Sequence, residues 1–196
     1  MEPFRTHTGR AVPLDRTDVD TDQIVPAEYL KRIERTGFGP FLFDSWRKDP
    51  AFVLNDPRYA AATILLAGAN FGTGSSREHA VWALEDYGFR AVISPRFADI
   101  FRNNCTKVGV LPVELPAESV RALMDAVVDD PGTEITVDLD ALRVTAPSVH
   151  EAFEIDPFTR HRLLEGLDDI ALTLRSQDAI TRYESTRRPW LPSASP

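Results

Sequence analysis

The sequence predicts a mixed α/β fold. Apolar runs typical of buried strands occupy residues 62–67, 91–94 and 109–115. Between the first two runs, residues 80–87 have the apolar spacing of a helix, and Gly88 ends that helix. Strands that alternate with helical segments in this way indicate an α/β domain.

The other elements of the first two thirds of the chain fit the same pattern. Residues 11–14 are predicted as a strand, and residues 98–104 as a short helix. Pro116 stands where a further helix begins, and Pro131 with Gly132 stops it. The apolar stripe of that helix is Val120, Leu123, Met124, Val127 and Val128.

The last third of the chain is predicted to hold a strand pair and a final helix. Residues 135–137 and 142–144 read as strands paired around residues 138–140. Apolar residues from Leu167 onward mark a helix that runs to about Glu184. We expect residues 1–186 to form a single domain, and the proline- and serine-rich residues 187–196 to be a disordered tail.

Composition excludes several classes of function. A chain of 196 residues with 43% hydrophobic content can bury a sizeable core. The net charge of -8 argues against a nucleic-acid partner, which needs a clustered basic face. The sequence has neither the layout of a signal peptide nor an apolar run long enough for a membrane helix, so we expect a cytoplasmic protein without a membrane partner.

Cysteine and histidine usage predicts no metal site on this chain. The single cysteine, Cys105, excludes an internal disulfide and is typical of a cytosolic protein. It is expected to be a small buried side chain rather than a reactive one. The four histidines are scattered without metal-ligand spacing, at positions His7, His79, His150 and His161.

Residues 72–80 carry the most informative motif, Gly-Thr-Gly-Ser-Ser-Arg-Glu-His-Ala, between a strand and a helix. Glycines at 72 and 74 allow positive φ and let a ligand approach the backbone. Ser75 and Glu78 fit a Ser-x-x-Glu capping box, which predicts Ser75 at the N-cap. Free amides at a helix start bind anions, and Arg77 adds a planar cation suited to a carboxylate or phosphate.

Local chemistry alone leaves this segment open between a simple helix cap and an oxyanion site. It is not a phosphate-binding P-loop, because the Lys-Ser/Thr pair is missing. It is not a dinucleotide fingerprint, since Arg77 stands where the third glycine would fall. The Gly-x-Ser-x-Gly frame of a hydrolase nucleophile is also absent.

The motif resembles the active-site segment of the aconitase superfamily, on its swivel domain. Residues 18–26, Asp-Val-Asp-Thr-Asp-Gln-Ile-Val-Pro, resemble the signature of small subunits of 3-isopropylmalate dehydratase. Residues 96–104 with 107–112 are similar to the family's Phe-x-x-Ile-(x)3-Asn and Gly-x-Leu-Pro block, and residues 165–174 to its C-terminal segment. The chain is therefore identified as a member of this family, which implies a swivelling β/β/α fold.

The resemblance assigns roles to individual residues. Ser75 would be the base that removes the carbon-bound proton, while Ser76 and Arg77 would bind substrate carboxylate oxygens. Other positions of the two segments would shape the site: Asp20, Thr21, Asp22, Gly72, Gly74 and His79. Of these, Asp20, Thr21 and Asp22 would form its wall rather than do chemistry. For His79, packing in the helix and a direct catalytic role both remain open.

A long, weakly periodic stretch follows the signature, at residues 26–56. Loops of this length are usually functional or disordered. In the family this loop lies over the variable group of the substrate. The resemblance thus implies substrate contact by one or more of four residues, which are Tyr29, Leu30, Lys31 and Arg32. An apolar Leu30 would suit a branched alkyl group, and Lys31 or Arg32 a carboxylate.

The implied activity needs a second polypeptide. The family isomerises 2-isopropylmalate to 3-isopropylmalate through isopropylmaleate, in leucine biosynthesis, and its 4Fe-4S cluster needs several cysteine ligands. One cysteine cannot hold that cluster, so we expect no cofactor on this chain and a large iron–sulfur subunit as its partner. Alternatives are a small subunit acting on homoaconitate, citraconate or 2,3-dimethylmalate, a non-catalytic anion-binding module, and a serine hydrolase.

Overall fold

One mixed sheet of seven strands forms the centre of the structure, a computed structural model that describes residues 1–75 and 77–187. The strands are β1 (Thr6–Leu14), β2 (Ala62–Ala67), β3 (Ala91–Ser94), β4 (Leu111–Glu114), β5 (Glu134–Asp138), β6 (Arg143–Ala146) and β7 (Val149–Ala152). Their spatial order is β4-β3-β2-β1-β5-β6-β7. The α/β fold class predicted from the sequence is confirmed.

The first four strands form a parallel half-sheet. β1 pairs with β2, β2 with β3 and β3 with β4, all in parallel. Ile64, Leu65 and Leu66 are fully buried, because helices cover both faces of a parallel sheet. This burial on both faces explains the continuous apolar runs from which these strands were predicted. β1 begins at Thr6, five residues before the predicted start at Ala11, and its first half is polar and only partly buried.

The last three strands extend the sheet in antiparallel fashion. β5 pairs with β1, β6 with β5 and β7 with β6. The strand pair predicted at residues 135–137 and 142–144 is confirmed as β5 and β6. The edge strand β7 was not predicted, since of its four residues only Val149 is buried and its apolar pattern is weak.

Eight α-helices surround the sheet in the described residues. They are α1 (Thr21–Ile24), α2 (Asp44–Arg47), α3 (Glu78–Tyr87), α4 (Asp99–Val108), α5 (Ala117–Asp129), α6 (Pro157–Glu165), α7 (Asp169–Leu174) and α8 (Gln177–Thr186). α5 contacts β1, β2, β3 and β7, so it covers one face. Right-handed crossovers between neighbouring parallel strands place α3 and α4, which contact each other, on the opposite face.

The C-terminal end differs from the prediction of one helix over residues 167–184. The chain forms α7 and α8 instead, with a break at Arg175 and Ser176. Both amides at the break bond to the carbonyl three residues earlier, which tightens and ends the turn. We call α7 and α8 the C-terminal arm. Residues 188–196, most of the tail predicted to be disordered, lie outside the described residues.

None of the helices in the described part of the chain is long and apolar enough to cross a membrane.

Candidate active site

The site begins where two segments leave the carboxyl ends of the neighbouring strands β1 and β2. Asp20 and Thr73 form an isolated parallel bridge beyond the strand ends. The amides of Gly72 and Thr73 both donate to the carbonyl of Val19, at 2.8 and 3.1 Å. The amide of Thr21 donates to the carbonyl of Thr73 at 3.1 Å. The signature and the motif, far apart in sequence, therefore form one ribbon.

A side-chain pair lies at the base of this ribbon. Asp18 and Asn70 are both in the left-handed region, with φ of 54° and 62°. Asp and Asn are the non-glycine residues that tolerate this conformation best. The Asn70 Nδ2 donates to Asp18 Oδ1 at 2.7 Å, and the Asp18 amide donates to the Ala69 carbonyl at 2.9 Å. The two turns that start the ribbon are thus held to each other.

Gly72 is required by both conformation and space. Its φ is +80°, and a Cβ atom there would overlap the ring of Phe101, which is fully buried on α4. Gly74 also has positive φ, at +81°, but a Cβ there would meet only Asp20 at an ordinary contact distance of 3.5 Å. Both glycines shape the path of the motif, and Gly72 also allows α4 to pack close to it.

The structure contradicts the predicted capping box at Ser75 and Glu78. The N-cap of α3 is Arg77, and Glu78 is the first helical residue. Ser75 lies two residues before the cap, and its carbonyl accepts a 3.1 Å hydrogen bond from Thr21 Oγ1. Pairing with the signature segment holds the motif away from helical geometry, so the helix starts later. The first-turn amides of α3 therefore do not surround Ser75.

A capping box occurs instead in the signature. Asp20 Oδ1 accepts from the Gln23 amide at 2.7 Å, and Gln23 Oε1 accepts from the Asp20 amide at 3.0 Å. The Asp-x-x-Gln spacing is a known form of this cap and was visible in the sequence. It fixes the single turn of α1, which presents Asp22 toward the motif.

Arg77 is anchored by an ion pair with Asp22. The Arg77 Nη1 lies 2.6 Å from Asp22 Oδ1, and the arginine side chain is 28% exposed. A guanidinium has five N–H donors, so this contact leaves further donors for an anionic ligand. Asp20, Thr21 and Asp22, predicted to shape the site, all contact the segment that contains Ser75 and Arg77.

Ser75 itself is exposed at the end of the ribbon. Within residues 1–75 and 77–187, its Oγ makes no hydrogen bond, and neither a histidine nor a carboxylate adjoins it as in a hydrolase triad. Ser76 lies outside the described residues.

His79 packs with aromatic side chains. Its ring centroid lies 5.3 Å from that of Phe38 and 4.7 Å from that of Trp82. Burial, and secondarily the charge of Arg77, lower the pKa of His79 despite the opposing influence of Glu78. The imidazole is thus neutral near pH 7, and its surroundings indicate packing rather than proton transfer.

The predicted substrate loop contains a 3₁₀ helix over Ala27–Lys31. Tyr29 stacks on Phe41 with centroids 4.1 Å apart, and its hydroxyl donates to Asp44 Oδ2 at 3.2 Å. Burial and the Asp44 carboxylate raise the pKa of Tyr29. This side chain therefore ties the start of the loop to its later part.

The neighbours of Tyr29 differ in exposure. Leu30 is half-buried, and Lys31 and Arg32 are exposed. The Arg32 guanidinium lies 5.2 Å from the centre of the Phe41 ring. No hydrogen bond or ion pair in the described part of the chain joins Tyr29, Leu30, Lys31 or Arg32 to the motif. Sequence reasoning missed Ile33, an apolar side chain at the loop tip that is 96% exposed.

The residues of this chain do not fit an iron–sulfur cluster. Such clusters need several thiolates, and Cys105 is the only cysteine in the sequence. It is fully buried on α4, and burial raises the pKa of its thiol far above the usual range. Among the described residues, no group of three or more His, Cys, Asp or Glu side chains could hold a metal ion.

Both segments of the site lie in a part of the chain that matches a known domain family. Residues 1–118, which contain both the signature and the motif, match the aconitase C-terminal domain. Residues 169–194 match the C-terminal domain of the 3-isopropylmalate dehydratase small subunit.

Relatives match over their full length. The 3-isopropylmalate dehydratase small subunit of Frankia alni is 66% identical over 194 residues, covering 99% of this chain and 100% of that protein. That of Rubrobacter xylanophilus is 62% identical and covers 98% of both. A crystal structure of 3-isopropylmalate dehydratase from Methanocaldococcus jannaschii superimposes with a TM-score of 0.68 at 26% identity, over 91% of this chain and 99% of that one. The chain belongs to the family of 3-isopropylmalate dehydratase small subunits.

Proposed function

We propose that this chain is the small subunit of a two-subunit hydro-lyase that isomerises 2-isopropylmalate to 3-isopropylmalate, in leucine biosynthesis. The observation that carries the proposal is the ribbon that joins the Asp20–Asp22 segment to the motif with Ser75 and Arg77. The 66% identity over 194 residues to a protein of that name supports 2-isopropylmalate as the substrate.

Ser75 is the base in this proposal. It takes a proton from the substrate carbon while hydroxide leaves the neighbouring carbon, which gives isopropylmaleate. Returning the proton and the hydroxide to opposite carbons gives the isomer. The exposed position of Ser75, and the absence of a hydrogen-bond partner for its Oγ among the described residues, leave the hydroxyl available to the substrate.

A serine alkoxide is unfavourable near neutral pH, so a nearby positive charge is needed. Arg77 supplies that charge, and its ion pair with Asp22 holds the guanidinium beside the ribbon. The remaining N–H donors of Arg77 bind a substrate carboxylate in a planar, two-pronged fashion. The motif assigns Ser76 a second contact to carboxylate oxygens.

The rest of the active site lies on a large subunit. An iron–sulfur cluster there would supply a Lewis-acidic iron to the departing hydroxyl. This chain provides the base, the carboxylate-binding arginine and the wall formed by Asp20, Thr21 and Asp22.

Selection among related acids is assigned to the loop. The half-buried Leu30, on the element fixed by Tyr29, provides an apolar surface for an isopropyl group. The exposed Lys31 and Arg32 lie next to it and would favour a substituent that carries a carboxylate.

The direct experiment is anaerobic reconstitution with candidate large subunits. Co-purified pairs are assayed on 2-isopropylmalate, homoaconitate, citraconate and 2,3-dimethylmalate. We expect the highest kcat/KM for 2-isopropylmalate. A higher kcat/KM for another of these acids would make that acid the substrate in place of 2-isopropylmalate. If the chain bound anions but no large subunit gave turnover with it, the enzymatic role would be refuted.

A further inference from the structure

A cleft lies between α3, α4, the first turn of α7 and Arg35 of the long loop at residues 26–56. The roles assigned above to the site residues do not account for it. Its main lining residues are Glu78, Trp82, Asn104, Lys107, Asp168 and Ile170. Glu78 belongs to the motif and directly follows Arg77, so the motif itself forms one edge of the cleft. Its volume is about 230 Å³. Small-molecule sites usually measure about 300–1,000 Å³, so this cleft is better matched to one or two protein side chains.

Asn104 is the unusual feature of the cleft. The residue is only 8% exposed, yet its carboxamide makes no hydrogen bond within the described residues. In that part of the chain, every fully buried side-chain nitrogen or oxygen has a hydrogen-bond partner. The amide atoms of Asn104 therefore reach open space, and the cleft is the space that this residue lines. A partner for this amide therefore comes from solvent or from a molecule that enters the cleft.

The C-terminal arm forms one wall of the cleft. The described residues of α7 include none that is buried, and Ile170 is 71% exposed at the edge of the cleft. The arm lies in the segment that matches a domain named for the small subunit, whereas the aconitase C-terminal domain match ends at residue 118. The arm thus lies outside the stretch that matches the aconitase C-terminal domain.

We propose that this cleft and Ile170 form a docking site for the large subunit. The carboxamide of Asn104 offers one acceptor and one donor group, so its complement is a peptide or carboxamide group of the large subunit. Ile170 packs on an apolar side chain of the large subunit next to that contact. The cleft adjoins the motif, and the motif must face the large subunit for the reaction to occur. This inference rests on the proposed function.

The test is the Kd for the purified cognate large subunit, measured anaerobically by biolayer interferometry. Asn104→Leu keeps the size of the side chain and removes its hydrogen bonds, and Ile170→Ser removes the apolar contact. We expect each variant to weaken binding by about fivefold to tenfold. Val128→Ser is the matched control, because Val128 is 55% exposed on α5, on the opposite face of the sheet. Its Kd should equal that of the parent chain.

Thermal unfolding separates docking from a structural role. Since Asn104 bonds to no described residue, Asn104→Leu should not lower the Tm; a lowered Tm would show that the amide serves this fold. Parent-like Kd values for Asn104→Leu and Ile170→Ser would overturn the proposal. Loss of self-association in Ile170→Ser with unchanged affinity for the large subunit would also overturn it and assign the face to a second copy. If the parent chain itself binds no large subunit, the proposed function fails instead.

Discussion

At the scale of single residues, the site depends on side chains that fix one another before any substrate binds. Arg77 is held by Asp22, and the two segments that lead to these residues are joined where they begin, by Asp18 and Asn70. Pre-organised charge of this kind is the main way in which proteins stabilise developing anions.

Replacing Arg77 by lysine tests whether the planar guanidinium matters. Lysine keeps the charge but loses the two-pronged geometry, so kcat/KM of the reconstituted enzyme should fall at least about tenfold. The control is Arg121→Lys, because Arg121 also forms a 2.6 Å ion pair, with Asp15, but on α5. Parent-like activity in Arg77→Lys would mean that Arg77 is a generic surface cation.

Gly72→Ala tests the close approach of the motif to α4. The left-handed conformation and the overlap with Phe101 should together cost at least about 2 kcal/mol of unfolding free energy. Gly88→Ala is a matched comparison, since Gly88 has φ of +112° but no atom within 4 Å of an added Cβ. It should lose only the conformational part, about 1–2 kcal/mol. If urea unfolding showed the same loss of unfolding free energy for both variants, the Phe101 ring would move away from the added Cβ at little cost.

At the scale of elements, the loop that follows α1 is organised by stacking. Tyr29 rests on Phe41 and bonds to Asp44, and this arrangement sets the position of Leu30. The discriminating group of the substrate is small, so the expected effect of this element on selectivity is small as well.

Replacing Tyr29 and Leu30 together by serine should raise KM for 2-isopropylmalate more than it lowers kcat. An apolar pocket of this kind discriminates by about 1–3 kcal/mol. The measurement is the ratio of kcat/KM for 2-isopropylmalate to that for a carboxylated analogue. An unchanged ratio would place the specificity determinant on the large subunit.

Elements were predictable from the sequence where burial alone determines them. β2 and β3 have the predicted bounds, because both faces are covered and the apolar runs are continuous. The predicted start of α3 was wrong, since pairing with the distant segment at Asp20 overrides the local Ser-x-x-Glu signal. α6 was missed despite an Asp156 cap, Pro157 in its first turn and Gly166 at its end, all of which are recognisable start and stop signals.

The site was predictable as a set of segments but not as a geometry. Resemblance placed Asp20, Asp22 and Arg77 in one site, but sequence spacing does not contain the 2.6 Å contact between Asp22 and Arg77. The open amide of Asn104 was equally invisible, since it depends on how α3, α4 and the C-terminal arm meet.

At the scale of the whole molecule, the chain is half of an enzyme in our account. One cysteine cannot hold a cubane cluster, so the purified chain should be colourless and inactive even after anaerobic treatment with iron and sulfide. The absorption spectrum and an assay on 2-isopropylmalate check this. Turnover by the chain alone would refute the division of labour between two subunits.

The most direct test of the central claim is an anaerobic titration of Ser75→Ala into the large subunit, followed by binding and by turnover of 2-isopropylmalate. Ser75 caps no helix and is exposed, so the variant should change the unfolding free energy by no more than about 0.5 kcal/mol. We expect a complex of parent-like affinity without turnover, while Ser148→Ala, at another exposed serine, remains fully active. Substantial turnover by the Ser75→Ala complex would contradict the account, because the base would then lie elsewhere.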